Sequence, residues 1–435
     1  MILALAVLVI IAAIALMVRR VDVRLVLLGS GLALMTLAGN PLGLADTFTR
    51  GMVTAMVAPI CAAMGFAAVM KATGCDRHLV QLLLAPIRRV PWLVLPGGIL
   101  AAYLVNMAVP SQASTAAALG PILVPLLIAS GFPATVAGAA LILGGSFGGD
   151  LLNPGAQDIQ AVAGVTQIPS AALSTRVIPA GIAGSLTAAL AFMVMHRRAV
   201  GTPDTAHPLV TVAVLEENFR IDLFRALIPI VPIAMLLAGY LGMPGMGWLI
   251  RTPPGPEWAG LSNALPVVRA MLIGAGLAAL VAWREVSAVT RSLFDGMGTA
   301  YGGIISLTIT AQCFGAGIGA VGLAEVLLQQ ARASDTLGLL AGGFPWALAT
   351  LSGSGSGPIL AFAQTFLVGL DGSDASVRLG ALACLGGAFG RTMSPVSAVV
   401  VYSAGLVDVA PMELVKRLLV PLLLGAAVAM GVAVR

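Results

Sequence analysis

Residues 386–397 read Gly-Gly-Ala-Phe-Gly-Arg-Thr-Met-Ser-Pro-Val-Ser, the most chemically pointed combination in the chain. They lie inside an apolar run from about Val377 to Ala410, long enough to cross a bilayer. Proline removes a backbone donor and glycine weakens a helix, so a helix broken near its middle is expected over residues 377–408. In hydrocarbon such a break survives only where protein or a water-filled cavity satisfies the freed backbone groups. A charge at that depth costs at least ~2.5 kcal/mol unless it faces such a place, which makes Arg391 a functional candidate. Its guanidinium fork matches a carboxylate as a lysine cannot. Arg391, Thr392, Ser394, Pro395 and Ser397 are therefore candidate contacts for an anion.

Three further stretches carry the same signature. Residues 337–368 read as two apolar arms joined by Ser352-Gly353-Ser354-Gly355-Ser356-Gly357, a helical hairpin that enters and leaves on one face. Residues 92–130 read likewise around Asn106 and Pro110-Ser111-Gln112-Ala113-Ser114-Thr115. Residues 134–165 are apolar but broken between Gly148 and Asp158, with Asn153, Pro154 and Gly155 at the centre. The two tips and two breaks offer four helix N-termini, whose backbone N–H groups favour an anion. Ser111, Ser114, Thr115, Ser352, Ser354, Ser356, Ser394 and Ser397 supply neutral donors beside Gln112, or equally serve helix packing. Asp158 and Asp150 are candidates for a coupling sodium ion near the tips, or for a proton. Asp150 is equally a candidate ion-pair partner for Arg391.

Composition decides what must position these groups. The chain is 59% hydrophobic and 9% charged, with a mean hydropathy of +1.02. Soluble domains carry about 25% charged residues, so this is an all-α integral membrane protein. The net charge of +5 is scattered through short loops, which argues against a nucleic-acid partner. Cys61, Cys75, Cys313 and Cys384 lie far apart and suggest neither disulfides nor zinc. His78, His196 and His207 fall at expected loops or helix ends, where a solvated role is expected.

Met1–Val18 is followed, not preceded, by arginines, so it reads as a retained span with its N-terminus outside. Further spans are expected near 26–39, 52–70, 178–195, 226–241, 266–283, 296–314 and 414–434, with interfacial segments near 71–90 and 323–334. The polar stretch 197–225 reads as a cytoplasmic linker. Gly144-Gly145-Ser146-Phe147-Gly148 aligns with Gly386-Gly387-Ala388-Phe389-Gly390, and Gly120-Pro121-Ile122-Leu123 with Gly357-Pro358-Ile359-Leu360. Residues 1–196 and 226–435 thus read as repeats of five crossings and one hairpin each, the second inverted because five is odd. With both termini outside, the clusters around Arg19, Lys71, Arg197, Arg284 and Lys416 all fall in the cytoplasm. Interrupted segments at matching places in inverted repeats point to a transporter with a midplane site. An enzyme would need a nucleophile and base or clustered metal ligands at depth. A channel would need a continuous polar pore.

The segment Gly390–Ser397, followed by Val399-Val400-Val401 and Glu413-Leu414-Val415-Lys416-Arg417, resembles the anaerobic C4-dicarboxylate carrier C family. The Ser-Gly tip leading into Ala361-Phe362 resembles it too, and Pro154 and Asp158 match its Pro and Asp, while Gly155-Ala156-Gln157 depart from its small, hydroxyl-bearing residues. The resemblance implies a scaffold and a mobile, elevator-type transport domain in the ion-transporter superfamily, homodimeric, in a bacterial inner membrane. It also implies uptake, exchange or efflux of succinate, fumarate and related dicarboxylates. Another organic anion or an amino acid on the same scaffold is the second expectation.

Overall fold

The computed structural model describes residues 2–19, 21–54, 57–87, 93–109, 112–146, 149–197, 219–255, 258, 261, 264–323, 326, 337–367 and 374–434. Among these residues all regular structure is helical. In the first half α1 (Ile2–Val18), α2 (Val23–Leu37), α3 (Gly43–Met52), α4 (Val57–Thr73) and α5 (Cys75–Leu84) precede a hairpin of α6 (Val94–Ala108) and α7 (Gln112–Ala129). Then come α8 (Ala134–Ser146), a short 3₁₀ turn (Asp150–Leu152), α9 (Gln157–Thr166) and α10 (Ser170–His196). The second half has α11 (Leu223–Tyr240), α12 (Ala264–Val281), α13 (Val286–Ala300) and α14 (Ser306–Ala320). It closes with α15 (Leu337–Ser352), α16 (Ser356–Phe362), α17 (Asp374–Thr392), α18 (Ala398–Leu406) and α19 (Pro411–Val434). By length and composition α10, α11, α12 and α19 can each cross a membrane alone. The protein is a multi-pass membrane protein.

Several expected boundaries move. The span expected at 52–70 is preceded by α3, whose polar face of Asp46, Thr47 and Arg50 hides it from a hydropathy reading. The span expected at 296–314 is part of one continuous path, α13, a π-helical turn (Tyr301–Ile305) and α14. The glycines at 386, 387 and 390 do not break the last interrupted helix. They lie within α17, where Gly386 and Gly390 sit flush against the backbones of Gly342 and Trp346 in α15. Without a hydrophobic force between helices in lipid, such backbone approach supplies van der Waals contact that offsets the weak helix propensity of glycine. The break falls at Met393–Ser397, around Pro395. His196 is buried rather than solvated, with its Nδ1 2.9 Å from the Phe192 carbonyl and its ring on that phenyl. His207, most of the 197–225 linker and nearly all of the 323–334 segment lie outside the described residues.

One core is built from α5–α10 with α15–α19 and includes the fully buried Phe192, Phe362 and Phe389. Two smaller cores gather α1, α2, α4 and α11–α14 around Phe66, Met70, Leu34 and Ile60. Ala161 of α9 and Leu360 of α16 reach into the last of these. Glycines again set the spacing: a Cβ at Gly31 would stand 2.9 Å from the Cys313 backbone, and one at Gly296 2.7 Å from Met64 O. The polar end of the linker rests on α5, where the Asp222 N–H donates to His78 Nδ1 at 3.1 Å and Arg77 lies over Phe219.

Candidate functional site

Asp158 opens α9 and is fully buried, in the first helical turn, where the helix dipole favours a carboxylate. Arg391 closes α17, in the last turn, where the dipole favours a cation. The fold brings these two ends together. Arg391 Nη1 donates to Asp158 Oδ2 at 3.1 Å, and both side chains are shielded from solvent. Ser356 Oγ, at the start of α16, donates to the other carboxylate oxygen, and Gly355 leaves room for the guanidinium. A Cβ at Gly355 would lie 3.0 Å from Arg391 Nη1. One carboxylate, one arginine and one serine from three separate elements thus form a single buried centre. Asp158, expected as a coupling residue, is thus an ion-pair partner of Arg391. Asp150 heads the 3₁₀ turn, and only its backbone is described.

Around this centre the second hairpin's tip seats on the second break. Gly353 has φ +74°, and a Cβ there would stand 2.9 Å from Ser397 N, so the tip covers the N-terminus of α18. Ser352 and Ser354 bond to each other within the tip at 3.3 Å. Ser394 Oγ accepts from Val396 N at 3.4 Å, and Ser397 Oγ donates to Ser394 O at 3.1 Å, so this break is self-capped. Pro395 is half-buried beside them.

The first break is equally self-contained. Asn153 Oδ1 accepts from Gly155 N at 2.9 Å, an Asx turn, and its Nδ2 donates to Met107 O of the first hairpin at 3.1 Å. Gln160 Nε2 donates to Pro154 O at 2.7 Å. Gly155 leaves just enough room for Val267 and Met271 of α12. Thr115 Oγ1 reaches back to Val109 O at 3.5 Å, while Gln112 begins α7. Ser111 lies outside the described residues, and of Ser114 only the backbone is described. The two breaks meet through Ser146 and Thr392, whose hydroxyls are 3.0 Å apart, with Thr392 also back-bonded to Ala388 O at 2.7 Å. Ser146 escapes a reading for chemistry because it sits in a glycine-rich helix. Its alignment with Ala388, one turn before Thr392, is the available signal.

Residues 43–434 match the family profile described as DcuC, C4-dicarboxylate anaerobic carrier. The chain belongs to the DcuC family. It is a membrane transporter, not an enzyme. A relative in Haemophilus influenzae, described only as an uncharacterized transporter, is 39% identical over 130 residues, 30% of this chain and 90% of that protein. The anaerobic C4-dicarboxylate transporter DcuC of Escherichia coli K12 is 27% identical over 380 residues, 85% of this chain and 78% of its own length. Among solved structures, Neisseria gonorrhoeae MtrF, of a class of antimetabolite efflux pumps, is 15% identical with a TM-score of 0.61, covering 90% of this chain and 82% of MtrF. That likeness supports the fold alone.

Proposed function

We propose that this DcuC-family protein is a secondary transporter of C4-dicarboxylates such as succinate and fumarate, working by alternating access. Residues 1–196 and 226–435 act as inverted repeats of five crossings and one hairpin, joined by a cytoplasmic linker. The body of α5–α10 and α15–α19 moves against a scaffold of α1–α4 and α11–α14, which pairs as a homodimer. The protein sits in a bacterial inner membrane with both termini outside. The observation that carries the reading is the buried Asp158–Arg391–Ser356 centre where a hairpin tip meets a helix break, in a chain of this family.

The chemistry follows from charge. Asp158 occupies the place on Arg391 that a substrate carboxylate would take. An arriving dicarboxylate exchanges for Asp158 on the guanidinium, with Ser352, Ser354, Ser394, Ser397, Gln112 and Thr115 as neutral donors. Asp158 is then a buried carboxylate without its arginine, a state that costs several kcal/mol. A sodium ion or proton taken up by Asp158, with Asp150 near the first break, relieves that cost and links ion to substrate. Another organic anion or an amino acid on the same scaffold is the second reading, which the test below separates. The test is uptake of labelled succinate by purified protein in liposomes, with sodium and proton gradients applied separately. Uptake driven by one gradient supports the account. Inactivity with succinate, fumarate and malate alongside activity with an amino acid would replace it.

A further inference from the structure

A cavity with polar groups in its wall lies away from the Asp158–Arg391 centre. It has a volume of about 530 Å³ and opens between α3 and α14 on one side and α9 and the second hairpin on the other. That volume is within the usual range for a small-molecule site, about 300–1,000 Å³. Arg50 stands in its wall, and its described lining contains no acidic residue. Gln312 of α14, only 8% exposed, and Gln364 of the returning hairpin helix face the same space. Among the described residues neither amide has a hydrogen-bond partner, and Arg50 has no ion pair. Gly315 leaves space for Gln364, whose Cβ would be 2.8 Å from a Cβ at that position. The buried Gln312 and the half-buried Gln364 thus offer their amides to water or to a ligand in the cavity, because a polar group left unsatisfied costs about 1–3 kcal/mol.

We infer that this cavity is a capture site for a small carboxylate anion, with Arg50 as its cation and Gln312 and Gln364 as its neutral donors. One helix links it to the centre: Gly164 and Val165 in its wall are six and seven residues along α9 from Asp158, roughly 10 Å at 1.5 Å per residue. The cavity itself spans the joint between the proposed bodies, since Arg50 and Gln312 belong to α3 and α14, and Gly164 and Gln364 to α9 and the hairpin. An anion held here would concentrate substrate at the mouth and would be released into the site as the bodies shift. The identity of the anion as a dicarboxylate rests on the proposed function; the anion preference does not.

The test places a cysteine at Thr47, in the cavity wall, in a background with Cys61→Ser. Modification rates are compared for negatively and positively charged methanethiosulfonates of similar size, with and without succinate. A cation in a low-dielectric cleft raises local anion concentration tenfold or more, so the negative reagent is expected to gain about tenfold over its rate in the Arg50→Gln variant. Arg50→Lys should keep most of the gain, and Gln312→Leu should leave the charge preference while weakening succinate protection. An unchanged ratio of the two reagents in Arg50→Gln would overturn the capture site. A changed ratio without succinate protection, in a protein that transports succinate, would overturn its role for the substrate. A changed ratio in a protein that does not move succinate keeps the anion site and discards the dicarboxylate reading.

Discussion

Replacing Asp158 by asparagine keeps the shape of the side chain and removes its charge. Arg391, 5% exposed and held at 3.1 Å by the carboxylate, would then be a buried cation facing a neutral amide. Breaking a buried ion pair from one side costs ~3–5 kcal/mol. The amide oxygen still accepts one hydrogen bond, from Ser356 or Arg391, so the lower end, about 3 kcal/mol, is expected. Succinate should restore most of this loss, because its carboxylate can take the vacated place. A ligand at a hundred times its Kd stabilises by about 2.7 kcal/mol. The assay is the temperature at which half the purified protein leaves the monodisperse fraction, with and without succinate. The variant should start lower than the wild type, rise further on adding succinate, and bind it without response to sodium or pH. Wild-type stability in Asp158→Asn, or a succinate shift no larger than in the wild type, would refute the exchange of carboxylates on Arg391.

Two other outcomes are expected. Gly353→Ala puts a side chain at φ +74° and 2.9 Å from Ser397 N, so the hairpin tip should fail to seat; the protein should fold with uptake reduced at least tenfold, on the order of the ~1–2 kcal/mol that a left-handed residue costs plus the lost contact. His78 accepts the Asp222 N–H, and its pKa lies below the ordinary 6.5 because of desolvation and then the neighbouring Arg225, with Asp222 opposing. A lowered histidine pKa gives a contribution fully present above pH 6.5 and lost as pH falls through the folded value, so the 219–222 segment should become more open to proteolysis in mild acid. His78→Gln should lose that pH response.

Much of the architecture is legible in the sequence because its causes are local. Pro395, Pro154 and the Ser-Gly run at 352–357 interrupt apolar segments, and helix breaks are found there. Glycine is a poorer guide. Gly386 and Gly390 look like breakers but are packing residues of α17, a distinction that depends on α15 lying against them. The partners of the candidate residues are tertiary as well. Arg391 pairs with Asp158, 233 positions away, because α9 brings its first turn to the end of α17. Arg50 draws no notice in the sequence, where it is one cation in a short polar stretch. Its meaning comes from α9, α14 and the hairpin closing a cavity around it.

Equilibrium binding of succinate and of a monocarboxylate of similar size to the wild type and to Arg391→Lys tests the central claim most directly. Lysine keeps the charge but cannot form a two-point pair with a carboxylate. A hydrogen bond to a charged group is worth about 1.5–3 kcal/mol, so succinate affinity should fall tenfold or more, and more than that of the monocarboxylate. Succinate bound by Arg391→Lys as tightly as by the wild type would remove Arg391 from the substrate site.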